Sequence, residues 1–331
     1  MKDPKFTHLY EMAKKELLED ILPFWEKYDV DEENGGFYGV VTREGMPVKG
    51  GTKCLVLNAR LVWTFASAYR ILKNEKYLKL AKRAYDYFCE YFIDKQYGGC
   101  YFMLDCKGNA IDDKKFVYGQ AFAIYALSEY CRATGDTEAR DKAVAIRDLL
   151  EQHAYTPDHP GYIEILARDW SYNPANQGSN INPEAEATKT MNTHLHLIEA
   201  YTGLLRVLRT PEQIAKVRQH LNIMLDKVYD SEIHHFKMFF RDDWSWTTPE
   251  ISYGHDIEGT WLMTETAEVL GEKDMEEKSA PKCLAMAAAC LEESILPDGS
   301  MIYEYNPATS TPTAPGGCRR KPSWDSSTPG R

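Results

Sequence analysis

The residues best equipped for chemistry lie between Ser252 and Trp261. His255, Glu258 and Trp261 stand three apart at the start of a helical pattern, in which Ile257, Leu262, Met263, Ala267, Val269 and Leu270 recur until Gly271, a residue suited to ending a helix. Three-residue spacing places an imidazole, a carboxylate and an indole along one face. At a helix N-terminus the exposed N–H groups and the macrodipole disfavour imidazolium, so the histidine stays neutral and can take a proton as a base. The same ten residues also read as a His–Glu pair capping a helix beside a buried tryptophan.

Three further sets carry polar groups at the start of apolar helical patterns. Arg60 follows Asn58 amid Leu55, Leu57, Leu61, Trp63 and Phe65; it either snorkels to the surface or points into a cavity, where its fixed charge and parallel donors suit an oxyanion. Tyr118 and Gln120 bring a phenol and an amide to a first turn, among aromatics that read equally as packing. Asn192 and His196 are four apart and share a face. His194 and His196 have the look of a metal pair, but residues two apart in a helix diverge by about 200°, so the helical pattern rejects a metal.

These sets must be positioned by repeated elements. After an amphipathic helix from about Leu9 to Lys27, helix pairs are predicted at about Leu55–Leu72 and Lys76–Phe92, Tyr118–Ala133 and Thr137–His153, Thr190–Leu208 and Pro211–Val228, and His255–Leu270 and Lys278–Leu296. Each outer helix leads into a short aromatic strand, as at Tyr97–Met103 and His234–Phe240, and Lys107, Gly108 and Asn109 read as a hairpin turn. The period is roughly 60–75 residues. Helical hairpins with apolar faces bury them by closing into a ring, here an all-α (α/α)6 barrel, a toroid with short β-hairpins gathered at one mouth. Every polar set above sits near the start of an inner helix, so one mouth collects them.

Composition narrows the partner. Forty-four per cent hydrophobic and 12% aromatic residues in 331 supply a large core, and a net charge of −11 without a basic cluster argues against nucleic acid or anionic lipid and for a small, weakly charged molecule. The hydrophilic start and the lack of a long apolar run predict no membrane association and a cytoplasmic location. Eight scattered cysteines read as free thiols.

The chain resembles the N-acylglucosamine 2-epimerase superfamily, and within it the cellobiose 2-epimerases most, from the N-terminus to about Tyr305. The resemblance rests on Ile21–Trp25 with Asn34–Gly39, Leu55–Trp63, Tyr118–Tyr125, Met191–Ala200 and Ser252–Trp261. It implies C2 epimerisation of the reducing-end glucose of β-1,4-linked disaccharides such as cellobiose or lactose, by ring opening and proton transfer through an enediolate, without cofactor or metal, and a monomer is expected. It implies that His255, Glu258, Arg60 and His196 are catalytic and that Tyr118, Asn192 and Trp261 bind substrate. Other activities of the superfamily, N-acylglucosamine epimerisation or mannose isomerisation, stay open. So do a glycoside hydrolase using two of Asp105, Glu164 and Asp169, and a lectin-like binder.

The organisation expected is an epimerase domain over 1–305, incomplete because a sixfold ring at this period needs roughly 380–400 residues, and a Pro/Gly/Ser-rich tail over 306–331. Read one nucleotide back, the codons of 316–330 permit a helical string resembling the family's Trp-Trp and Gln-Ala-Glu segment. The tail is therefore expected to be a frameshift product, truncated before closure, and the 331-residue chain to expose apolar faces and be nearly inactive.

Overall fold

The computed structural model describes residues 4–173, 187–306 and 311–312. Among them the expected helix pairs form: α1 Pro4–Glu16 and α2 Leu22–Tyr28 at the N-terminus, then the pairs α3 Leu55–Leu72 and α4 Glu75–Tyr87, α5 Val117–Thr134 and α6 Thr137–His153, α7 Met191–Leu205 and α8 Pro211–Ile223, and α9 Tyr253–Leu270 and α10 Lys273–Ser294. The odd-numbered helices α3, α5, α7 and α9 pack side by side in chain order as the inner layer of an (α/α)6 barrel, and each is backed by the helix that follows it. The inner helices are buried on most sides. On α5, Ala121, Ile124 and Leu127 face a core shared with Phe65, Leu195 and Leu197.

Local chemistry sets the ends. Asn74, Asp136, Thr190 and Thr210 cap α4, α6, α7 and α8 by accepting N–H hydrogen bonds from the first turn. Gly135 and Gly271 end α5 and α9 at φ of 79° and 67°, a left-handed geometry that costs glycine nothing. The outer helices α4 and α8 run on through π turns, Phe88–Phe92 and Met224–Val228, which is why their patterns reach Phe92 and Val228.

Twelve short strands among the described residues form the mouth. Those leading into the inner helices are β1 Lys53–Cys54, β4 Lys115–Phe116, β6 Lys189–Thr190 and β10 Ile251–Ser252. Each pairs antiparallel with a strand that follows its own hairpin: β2 Met103–Leu104, β5 Ile165–Leu166, β9 Phe239–Phe240 and β11 Glu304–Asn306. β3 Ala110–Asp112 extends the first pair across the expected Lys107–Asn109 turn. β7 Tyr229–Asp230 pairs with β8 His235–Phe236, and β12 Thr311–Pro312 with β11. The domain boundary expected at 305 thus falls inside a strand, because the backbone of Tyr305 and Asn306 pairs with that of Thr311 and Pro312. The rest of the tail, including the stretch expected to be frameshifted, lies outside the described residues.

Three lysines hold this mouth. Lys53, Lys115 and Lys189 occupy the first position of β1, β4 and β6 and are fully buried. Lys53 Nζ binds Asp31 at 3.0 Å, Lys115 binds Asp94 at 3.0 Å, and Lys189 binds Asp242 at 2.6 Å. Asp31 follows the N-terminal helix α2, whereas Asp94 sits in the turn leaving the first hairpin, so the Lys115–Asp94 pair ties the end of one hairpin to the start of the next.

Apolar side chains remain exposed on α1 (Phe6, Leu9, Tyr10, Met12) and on the last hairpin (Ile257, Trp261, Leu284, Leu291). No helix among the described residues is long and apolar enough to cross a membrane.

Candidate active site

Arg60 projects from α3 and does not snorkel out. It is half-buried, and its guanidinium lies 4.3 Å from the centre of the Phe122 ring on α5. Burial pulls its pKa down to about 10, against the charges of Glu199 on α7 and Glu258 on α9 and the Tyr118 phenol, so it remains cationic at neutral pH. Phe122 also packs against His196, with ring centres 4.5 Å apart. His196 is 6% exposed, and its Nδ1 is held by Glu199 Oε2 at 3.1 Å one turn along α7. Arg60, Phe122, His196 and Glu199 therefore form one contact set across three inner helices, and Glu258 and Tyr118 reach it electrostatically.

His255 is buried in the first turn of α9, and Glu258 follows in the next turn. Its Nδ1 lies 2.8 Å from Ser252 Oγ. Ser252 occupies the N-cap position, yet its hydroxyl caps no backbone N–H of α9. The helix forgoes a contact worth ~1 kcal/mol, and the hydroxyl instead fixes one nitrogen of the imidazole and leaves Nε2 to define the reactive direction. The sequence reading gave the orienting role to Glu258 and missed Ser252, which reads as an ordinary cap.

His255, Glu258 and Trp261 do not share one environment. Exposure rises from 8% at His255 to 55% at Trp261, with Glu258 half-buried between them. Steps of three fall short of a full turn, so the row drifts by roughly 120° over six residues. Trp261 presents its indole outward, one turn on from Ile257, which is also exposed.

Tyr118 is half-buried and packs edge-on against Phe102, Phe116 and Phe122 at 5.9, 6.5 and 6.4 Å. Its neighbour in sequence, Gln120, is fully buried and spent on structure: its amide accepts from Cys100 N–H at 2.7 Å and donates to Cys100 O at 2.9 Å. Asn192 is half-buried one turn before His196. His194 and His196 separate as helical geometry demands. His194 Nδ1 donates to Thr190 O at 2.7 Å, its Nε2 accepts from Tyr162 N–H at 3.0 Å, and burial pulls its pKa down to about 3, which keeps the ring neutral.

The carboxylates considered for hydrolysis are committed elsewhere. Asp105 and Asp169 are exposed turn residues that accept from Asn109 and Lys107, and from Ser171. Glu164 is sealed in, accepting from the hydroxyls of Thr190 and Thr193 at 2.8 and 2.6 Å, and burial raises its pKa. No two of the three are seen to converge on the mouth built around Arg60.

Known proteins similar to this chain share its family and its fold. Residues 36–324 match the family model described as N-acylglucosamine 2-epimerase (GlcNAc 2-epimerase). The cellobiose 2-epimerase of Bacteroides fragilis is 40% identical over 301 residues, spanning 91% of this chain and 76% of that protein. That of Ruminococcus albus is 38% identical over 291 residues, 88% of this chain and 73% of its own. The solved cellobiose 2-epimerase of Bacillus thermoamylovorans superimposes with a TM-score of 0.87 at 36% identity, covering 91% of this chain and 76% of that one.

Proposed function

The chain belongs to the N-acylglucosamine 2-epimerase family, and from that membership we infer that it catalyses the cellobiose 2-epimerase reaction, inverting C2 of the reducing-end glucose of a β-1,4-linked disaccharide. The observation that carries this reading is the set at the mouth: a retained guanidinium, two buried imidazoles each held at Nδ1, and a carboxylate pair, contributed by the inner helices α3, α7 and α9 around the Phe122 ring of α5.

The chemistry follows from those groups. C2–H becomes acidic enough to lose only beside a free aldehyde, so the hemiacetal opens first; His196, oriented by Glu199, is placed to move the ring-opening proton. His255 then takes the C2 proton through Nε2, and the electron pair left behind delocalises onto O1 as an enediolate. Arg60 offers that oxyanion two parallel donors, while Glu199 and Glu258 keep the guanidinium charged. Inversion needs the proton returned to the opposite face, from a second acid or after rotation of the intermediate. Tyr118 and Asn192 support sugar hydroxyls, and Trp261 offers an apolar surface.

Proton NMR of cellobiose in deuterated water tests the reading. A mannose anomeric signal with deuterium at C2 is expected; free glucose means hydrolysis, and an unchanged spectrum means a binder. In protein that turns over cellobiose, Arg60→Lys is expected to remove most of the turnover, because lysine keeps the charge but loses the fork and the flat contact with Phe122. More than about half of normal turnover in that variant removes Arg60 from the mechanism.

No metal takes part in these steps. Dialysis against a chelator is expected to leave turnover and melting temperature unchanged, and loss of turnover restored by a divalent ion would refute the proton-transfer scheme. A cytoplasmic location is supported by the seven free thiols among the described residues. A monomeric state is part of the same reading, and a sizing column tests it.

A further inference from the structure

Behind His255 lies a second cluster that the epimerase mechanism does not use. His235 on β8, Asp256 on α9 and Cys290 on α10 are buried, with exposures of 1%, 0% and 1%. Each offers one ligand atom, and the three atoms lie within 4.8 Å of one another. His235 Nδ1 is 2.8 Å from Asp256 Oδ2, and Cys290 Sγ is 3.8 Å from the same oxygen.

We propose that His235, Asp256 and Cys290 form a binding site for a thiophilic divalent cation of the zinc–cadmium class, and that occupancy inhibits the enzyme through the first turn of α9. The donor set is nitrogen, carboxylate oxygen and sulfur, which suits zinc or cadmium and not the all-oxygen preference of magnesium or calcium. The surroundings are those of a ligating histidine. The far nitrogen, His235 Nε2, faces Glu293 Oε2 at 3.1 Å, so it can donate its proton there and turn the Nδ1 lone pair toward the cluster, the carboxylate–histidine–metal relation found around bound zinc. Asp256 is fixed on its other side by the Phe236 N–H, which donates to Oδ1 at 2.9 Å, and Tyr253 OH donates to Glu293 at 3.2 Å. The Glu293 side chain is 47% exposed, which gives the buried cluster an approach from solvent.

Binding has a definite cost. A tetrahedral ion with bonds of about 2.0–2.3 Å keeps its ligand atoms roughly 3.3–3.7 Å apart, so the His235–Asp256 hydrogen bond has to open. The thiol proton of Cys290 and the proton shared between Nδ1 and Oδ2 leave to solvent as the metal–ligand bonds form. Asp256 directly follows His255, so the shift is passed to the base. The competing hydrogen bond also satisfies His235 and Asp256 without a metal, in keeping with the indifference to chelator expected above.

Cadmium titration followed by the ultraviolet thiolate-to-cadmium charge-transfer band tests the site without reference to activity. One equivalent is expected to develop the band in the wild-type chain, and Cys290→Ser to abolish it while turnover without metal is unchanged. Glu293→Gln, which leaves the core untouched, is expected to weaken binding by about tenfold. The absence of a one-to-one band, or an undiminished band in Cys290→Ser arising from other thiols, overturns the site. Should Cys290→Ser not fold, unchanged cadmium affinity in Glu293→Gln overturns it instead. Inhibition by zinc, reversed by chelator and lost with Cys290→Ser, tests the link to His255 and rests on the epimerase reading; a band that behaves as expected without zinc inhibition overturns that link alone.

Discussion

His255→Ala is expected to lower turnover of cellobiose by at least about a hundredfold, the range set by removing a group that transfers a proton in the transition state. The expectation comes from geometry: a buried imidazole at a helix N-terminus, one nitrogen held by Ser252 at 2.8 Å, with Glu258 in the next turn of α9. The loss should fall on kcat, with KM little changed, since the imidazole meets C2–H only as the bond breaks. Helix content by circular dichroism should stay at the wild-type value. Turnover within tenfold of wild type would assign the C2 proton to another base, and Ser252→Ala, which frees Nδ1, would then have no effect either.

Asp94→Ala is expected to be the most damaging single change to stability, costing about 3–5 kcal/mol and lowering Tm by roughly 4–7 °C. Asp94 accepts from Lys115 Nζ at 3.0 Å and from Arg168 Nε and Nη2 at 2.9 and 3.2 Å. Burial opposes its charge, but the hydrogen bonds from Arg168 and Lys115 outweigh it and hold the carboxyl well below the usual carboxylate range. Without the carboxylate, a fully buried ammonium is left facing only the rings of Tyr101 and Trp170, 5.3 and 5.7 Å away. Arg168 is partly exposed and can turn to solvent; Lys115 cannot. Adding Lys115→Met should therefore recover much of the loss, and a single-variant cost below about 1 kcal/mol would show that the pair carries little. The depressed carboxyl also sets a sign with pH. Its contribution is complete above the unfolded-state pKa of about 3.9 and is lost as pH falls toward the lower folded value.

The ring of hairpins was legible because its signal is repeated. The patterns at Leu55–Leu72 and Thr137–His153 match α3 and α6 end to end, and Pro211–Val228 matches α8 with its π turn. The start of α10 was placed late, at Lys278 and not Lys273, because Lys273–Glu277 gives the core only Met275. The polar groups at the inner-helix starts could be named from spacing and resemblance, but their partners could not. Phe122 reads as packing until Arg60 and His196 are found on either side of it. The buried lysines were hidden by their type, since a lone lysine reads as solvent-facing. Their signal was positional: a lysine two residues before three of the inner helices, and an aspartate in the turn before two of them.

The collar of strands bears on how a substrate gets in. Each strand that enters an inner helix is paired to the segment following its own hairpin, as β1 is to β2 and β10 to β11. The rim is thus a set of short clasps, each a two-residue ladder, cross-tied where Asp94 holds Lys115 and where Glu164 N–H donates to Thr188 O, and not one lid swinging on a hinge. Amide exchange at the rim should accordingly show unequal protection, highest at the cross-tied segments, and a bound disaccharide should slow the patches it bridges.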